Sequence, residues 1–177
     1  MLNMKSVVSQ LVNDIDSSIY ALIGPFAALY IFPQFFMQVE KSLFGAMDIP
    51  VPPALDIIGS GLMWAGAALA IWCGVLMAMN KWGSVVPFFK PTALVTSGPF
   101  RIVRHPMMWA LFLVLIGEVL VFLSPAVLLW FIIWVRFTHL YITRHEEPFL
   151  LRHFGDDYKK YSAQVPRLLP FTTPISL

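Results

Sequence analysis

Long apolar stretches alternate along this chain with short polar islands, and the apolar stretches have the length of membrane helices. A spanning helix needs about 20 mostly apolar residues. Ser18 to Gln38 meets that, with Gly24, Pro25 and Pro33 as kink positions, and Ala54 to Met79 is a second, longer span. Met107 to Leu123 and Ala126 to Tyr141 are each slightly short. Ser124-Pro125 between them does not readily continue a helix, so the two read as a helical hairpin whose shortness the bilayer or neighbouring helices absorb. Ahead of the first span, Val7, Val8, Leu11, Val12 and Ile15 recur at helical spacing against Asn13, Asp14 and Asp16, which predicts a short interfacial helix over 1–17. It is not a signal peptide, since a compact apolar core and a small-residue cleavage site are both missing at the expected place.

Composition agrees with a membrane. Hydrophobic residues make up 58% of the chain and charged ones 12%, against roughly 25% charged in soluble domains, and the mean hydropathy is +0.74. A net charge of +2 is too small to argue for nucleic acid. The single Cys73 lies in an apolar run, so neither a disulfide framework nor a cysteine metal cluster is available, and packing is its expected role. With four spans, the amino terminus, the Lys81 to Pro106 loop and the carboxyl tail share one side. That side holds Lys5, Lys81, Lys90, Arg101, Arg104, Arg144, Arg152, Lys159, Lys160 and Arg167, whereas the other, with the Glu40 to Pro53 loop, holds only Lys41. The positive-inside rule then makes both termini cytoplasmic. The expected fold class is an all-α integral membrane protein of about four transmembrane helices, including a C-terminal hairpin, with a cytoplasmic cofactor-binding loop and tail. It forms one domain over 1–177, made of the interfacial helix (1–17), two N-terminal spans (18–79) and a catalytic region (80–177).

Two polar islands carry the candidate chemistry. The first runs from Leu94 through Gly98-Pro99-Phe100 to Arg104-His105-Pro106; the second holds Arg144-His145-Glu146-Glu147-Pro148 and continues to Phe154-Gly155-Asp156-Asp157-Tyr158. The hairpin between them folds one back onto the other. If the fourth span stays helical past Tyr141, then Arg136, His139, Thr143, Glu146 and Glu147 form one polar stripe at 100° per residue. Such a stripe is costly in a bilayer unless it lines a wet cavity or meets partners. The plainer reading makes the two glutamates solvated interfacial charges and lets Arg136 snorkel. Pro106 suits a first helical position, so His105 caps the third span or sits just before it. Glu118 is the deepest carboxylate, a functional candidate by default or a hydrogen-bonded structural residue. His105, His139, His145 and His153 lack any zinc-type spacing, so no metal is expected. The basic and aromatic tail, with Phe154, Tyr158, Tyr161 and Arg167, suits contact with an anionic leaflet rather than RNA.

Leu-Val-Thr-Ser-Gly-Pro-Phe (Leu94 to Phe100), Arg-His-Pro (Arg104 to Pro106), Glu146-Glu147, Phe-Gly-Asp-Asp-Tyr-Lys-Lys-Tyr (Phe154 to Tyr161) and Val-Pro-Arg-Leu-Leu-Pro (Val165 to Pro170) follow one another in order. Together they resemble the isoprenylcysteine carboxyl methyltransferase and phospholipid methyltransferase superfamily, especially its small bacterial members. The resemblance implies an integral membrane methyltransferase using S-adenosylmethionine, in a bacterium at the inner membrane. It also implies that Thr92, Ala93, Leu94 and Val95 meet the cofactor largely through backbone and Phe100 through its ring. His105, Pro106 and Met108 would form the helix-start part of the pocket, Gly98 and Arg104 would complete it, and Glu146 would engage the polar part of the cofactor with Glu147 beside it. His105, Glu146, Glu147 and Arg144 are the catalytic candidates. Two positions depart from the pattern: Met108 stands where the family usually has Tyr, and Ile142 where the prenylcysteine enzymes have an acceptor-associated Arg. Arg136 and Arg144 are the candidates to replace it.

Methyl transfer from a sulfonium is an in-line displacement that asks for orientation and exclusion of water more than for side-chain chemistry. A carboxylate acceptor needs no base, whereas an ammonium or thiol must first lose a proton, for which His105 is the nearby base. The expected partners are a lipid or lipidated acceptor and the membrane, without nucleic acid or an obligate protein partner. Two other readings stay open on the sequence: an NADPH-dependent membrane reductase of the sterol-reductase architecture, and a noncatalytic scaffold or transporter.

Overall fold

A computed structural model describes residues 27–45, 50–79 and 93–170. The interfacial helix over 1–17, the start of the first span, the Lys81 to Lys90 stretch and Thr92 lie outside the described residues. Those described are helical, with no strand among them. After a π turn at Ala27–Ile31 come α1 (Phe32–Phe44) and α2 (Pro53–Met79). A 3₁₀ turn at Gly98–Arg101 then leads to α3 (Pro106–Phe122), α4 (Pro125–Tyr141), a second π turn (Ile142–Glu146), α5 (Glu147–Phe154) and α6 (Asp156–Gln164).

Proline sets the starts of α2, α3, α4 and, one residue in, α5, since a fixed φ and a missing N–H cost nothing in a first turn. At the hairpin tip Leu123 takes a left-handed φ of 46°. Ser124 then caps α4 by accepting from the Val127 amide at 3.3 Å. A further ligand reaches this helix start from α1: Glu40 accepts from the Ser124 hydroxyl and from the Ala126 amide at 3.1 Å. A carboxylate at a helix N-terminus is favourable electrostatically. It also accounts for a difference from the sequence reading, because α1 runs on to Phe44 and carries Glu40 and Lys41 within the helix, not in a loop.

The helices alternate in direction, as the close approaches show. A Cβ on Gly59 would meet the Gly117 carbonyl at 2.8 Å, and one on Gly66 would meet the Ala110 carbonyl at 2.6 Å. Rising numbers in α2 therefore pair with falling numbers in α3, and the small residues let the two backbones touch, as membrane helices do. Against α4, Glu40 sits at the helix start while Phe32 and Phe36 stack on Trp130 at 4.6 and 5.4 Å. The Trp130 indole donates to the Ala28 carbonyl at 2.9 Å. The end of α1, the start of α2 and the hairpin tip consequently share one end, and the two polar islands share the other.

Two helices, Pro53–Met79 and Pro125–Phe154, are long and apolar enough to cross a membrane, and Pro106–Phe122 is a shorter apolar helix. They are greasy outside as well as inside. Only 17% of the α2 window is buried, which rules against the core helix of a soluble protein. Ile57, Trp64, Ile71 and Trp72 on α2, and Leu129, Ile132 and Phe137 on α4, are more than half exposed. Apolar area of that extent finds its match in lipid.

Candidate functional site

The polar end has its own core. Cys73 and Met77 from the end of α2 pack with Val95, Phe100, Leu150, Tyr158, Tyr161 and Val165. Cys73 is a fully buried packing residue, as its apolar setting predicted. Gly98 belongs here for two reasons: its φ is +59°, and a Cβ would stand 2.6 Å from Leu76 Cδ1. Phe100 turns its ring into this core, and its carbonyl accepts from the Tyr161 hydroxyl at 2.6 Å. The tail aromatics read from sequence as membrane-facing are therefore inside: Tyr158 is fully buried and Tyr161 nearly so, while Arg152, Lys159 and Lys160 stay exposed. The reason lies in spacing, since Tyr158, Tyr161 and Ser162 fall on one face of α6.

The second π turn decides how the two adjacent glutamates differ. The buried face of α4 carries Thr138 and passes to Ile142 of the π turn, and a regular helix would continue it through positions 145 or 146. Instead the Glu147 amide donates to the Ile142 carbonyl, five residues back, and the extra residue turns Glu147 inward. Glu147 is fully buried, whereas the Glu146 side chain keeps 21% of its exposure at the rim. The single stripe expected from regular periodicity is thereby split. Arg136 and His139 face a separate cleft, and the Thr143 hydroxyl bonds back to the His139 carbonyl at 2.8 Å.

Glu147 is held by cations from two directions. Arg104 Nη1 lies 2.9 Å from Oε1. Arg167 forks onto the carboxylate, donating from Nε to Oε1 at 2.9 Å and from Nη2 to Oε2. The tail that brings Arg167 is itself pinned across the first island. The Arg104 amide donates to the Pro166 carbonyl at 2.9 Å, the His105 amide to the Arg167 carbonyl at 3.3 Å, and the Trp109 indole to the Leu168 carbonyl. Charge-assisted forks of this kind are strong and geometrically exacting. The Arg167 guanidinium is held above its ordinary range chiefly by its hydrogen bonds to Glu147. Arg167 was missed as a site residue because nothing local marks it; a buried carboxylate that must find a cation was the signal available.

His105 ends the first island and faces both carboxylates, with Nδ1 3.3 Å from Glu146 Oε1 and Nε2 3.6 Å from Glu147 Oε1. It occupies the position before α3, as its place ahead of Pro106 predicted, but its side chain turns to the glutamates and does not cap the helix. Burial by itself would lower its pKa, yet the Glu146 charge and hydrogen bond, with those of Glu147, outweigh that and raise it above the usual imidazole value. Among the described residues Glu146 Oε2 is buried without a hydrogen-bond partner. Arg104, His105, Pro106, Glu146 and Glu147 thus come together, with Val95 and Phe100 in the core beneath and Leu94 half-buried against it. Ala93 and Met108 are half-buried, and Arg144 is exposed on the π turn. Glu118 is buried in α3 toward the hairpin tip, far along the helix from this cluster. No group of histidine, cysteine or carboxylate side chains among the described residues could hold a metal ion.

Residues 55–157, more than half of the chain, match the phospholipid methyltransferase family. The chain belongs to that family. With it the chain falls within the superfamily that also holds the isoprenylcysteine carboxyl methyltransferases, as the ordered motifs suggested. It is accordingly a membrane methyltransferase acting on a lipid-like substrate. No curated protein and no solved structure matches the chain closely enough to add to this.

Proposed function

We propose that this methyltransferase takes its methyl group from S-adenosylmethionine and passes it to a lipophilic acceptor at the cytoplasmic face of the membrane, the inner membrane in a bacterium. The observation that carries the reading is the unequal carboxylate pair. Glu147 is consumed by Arg104 and Arg167, while Glu146 keeps a buried oxygen without a partner beside His105. An acceptor-only oxygen suits the ammonium or hydroxyl donors of S-adenosylmethionine, so the residues present fit that cofactor. When bound, the cofactor supplies a methyl group on a sulfonium, ready for displacement. The protein's part is to bind, orient and keep water out. Glu146 would hold the polar part of the cofactor, Ala93 to Val95 would meet it largely through backbone, and the Glu147 cluster fixes the helix start and the tail around the site.

An ionised carboxylate acceptor would attack with its own lone pair; the carbon–sulfur pair returns to sulfur, and no proton moves. For an amine or thiol acceptor a proton must first go to a base, and His105 is the base within reach. The raised His105 pKa disfavours that role at neutral pH. Calorimetric titration of the detergent-solubilised full chain with S-adenosylmethionine, its demethylated product and NADPH tests the reading. Binding of the first two, without the third, is the expected result. NADPH binding alone, or binding of none of the three, would overturn the S-adenosylmethionine reading.

The four-span arrangement, with both termini and the site cytoplasmic, is part of the same proposal. It is supported by the alternating helix directions and by ten Lys and Arg residues on one predicted side against Lys41 on the other. Cysteines introduced at Lys160 and Pro52, in a Cys73→Ser background, should label oppositely with an impermeant thiol reagent. Pro52→Cys is expected to react in intact cells and Lys160→Cys only after the cytoplasmic side is opened. The reverse pattern would invert the topology.

A further inference from the structure

Beside the carboxylate site lies a cleft of about 580 Å³, a size usual for small-molecule sites. Trp109 and Phe112 of α3 line it with Phe131 and Val135 of α4, and Leu168 and Leu169 of the tail complete the wall. Trp109 follows His105 by one helical turn, so the cleft adjoins the site through a shared helix start. The charged or titratable side chains lining it are Arg136 and His139, and no carboxylate lines it. Among the described residues no ion pair joins Arg136 to a carboxylate.

Arg136 stands in a belt meant for lipid: Ile132 is 56% and Phe137 54% exposed around it. It lies five residues before the end of α4, about 8 Å along the axis at 1.5 Å per residue. It is nearer to that polar end than to the hairpin tip. An arginine there is costly unless it meets water or an anion. A zwitterionic head would bring, beside its phosphate, an ammonium for which the cleft has no carboxylate, and an uncharged head would leave the guanidinium without a counterion.

We propose that this cleft binds the acceptor lipid and selects one with an anionic head group, which pairs with Arg136 and accepts a hydrogen bond from His139. The acceptor role rests on the methyltransferase reading of the neighbouring site, but the binding measurement needs no cofactor.

The full chain in detergent micelles is titrated with brominated phosphatidylglycerol and, separately, with brominated phosphatidylcholine, while quenching of tryptophan fluorescence is followed. Subtracting the same titrations of Trp109→Phe isolates the signal from the cleft. Half-quenching is expected at about tenfold lower concentration for the anionic lipid, equivalent to about 1.4 kcal/mol. Arg136→Gln should erase the difference and Arg136→Lys should keep most of it, with thermal midpoints confirming that both variants are folded. Equal quenching by the two lipids, or a preference that survives in Arg136→Gln, would overturn the proposal and leave Arg136 as a snorkelling side chain. Lipid selectivity without any S-adenosylmethionine binding would instead sink the proposed cofactor reading, and the acceptor role with it, while the anionic lipid site stands.

Discussion

Glu147→Gln is expected to lower the stability of the protein by about 3 to 5 kcal/mol, the usual consequence of removing one partner from a buried ion pair. The amide keeps the shape of the carboxylate, so packing is spared. It cannot satisfy Arg104 and Arg167, whose guanidinium groups would then face an uncharged group in a site from which Glu147 has no exposure at all. The tail is held across the first island partly by this fork, so the damage should spread to the Trp109 and Arg104 contacts with residues 166 and 168. Free energies of unfolding in mixed micelles measure the effect. The double variant Glu147→Gln with Arg167→Gln should recover part of the loss, because it removes one of the two cations that faced the lost carboxylate. A Glu147→Gln protein within about 1 kcal/mol of the native one would mean that the cluster contributes little and that its strength has been overstated.

That cluster also marks the boundary of what could be read from the sequence. The helix starts were legible because proline writes them: the expected Ala54 to Met79, Met107 to Leu123 and Ala126 to Tyr141 became Pro53–Met79, Pro106–Phe122 and Pro125–Tyr141. The juxtaposition of His105 with the glutamate pair was legible too, since a hairpin with ends at Pro106 and Tyr141 can only return the chain to its start. The inequality of Glu146 and Glu147 was not. It depends on one extra residue in a π turn, and a reading at 100° per residue has no place for such an insertion. Arg167 escaped for a different reason: its partner is 20 residues away, and its role comes from the tail crossing back over the first island, not from any period. Tyr158 and Tyr161 did carry a signal, a 3.6-residue stripe shared with Ser162, but basic neighbours at Lys159 and Lys160 drew the reading toward the lipid surface.

The family match and the geometry bear on different questions. The match over residues 55–157 says that methyl transfer to a lipid-like substrate is the chemistry, and it stops before the segment that supplies Arg167 and the tail wall of the cleft. The features that would tune cofactor and acceptor in this chain therefore lie partly beyond the matched region. The bidentate clasp on Glu147 ties that segment to the family core, so damage to the tail should reach the carboxylate pair as well.

Glu146→Gln should behave in the opposite way to Glu147→Gln, with a large effect on cofactor and a small one on folding. Its carboxylate sits at the rim with one oxygen unclaimed, so removing the charge strands no cation that lacks another partner: His105 still faces Glu147. If Glu146 receives the polar part of S-adenosylmethionine, loss of a charge-assisted hydrogen bond should weaken binding by about 1 to 3 kcal/mol, which is roughly 5- to 150-fold in Kd. The same substitution has a second, independent signature in pH. His105 has its pKa raised in the folded protein, with Glu146 the largest of the raising causes. Its contribution to stability is fully present below the unfolded value of roughly 6.5 and is lost as pH rises through the higher folded value. In Glu146→Gln the folded value should fall back toward 6.5, so stability should decline less as pH rises above about 6.5 than in the native protein. Calorimetry at fixed pH and unfolding across that pH range separate the two effects. A normal pH slope would show that Glu146 does not govern His105, and an unchanged Kd in the folded variant would show that the free oxygen serves something other than the cofactor.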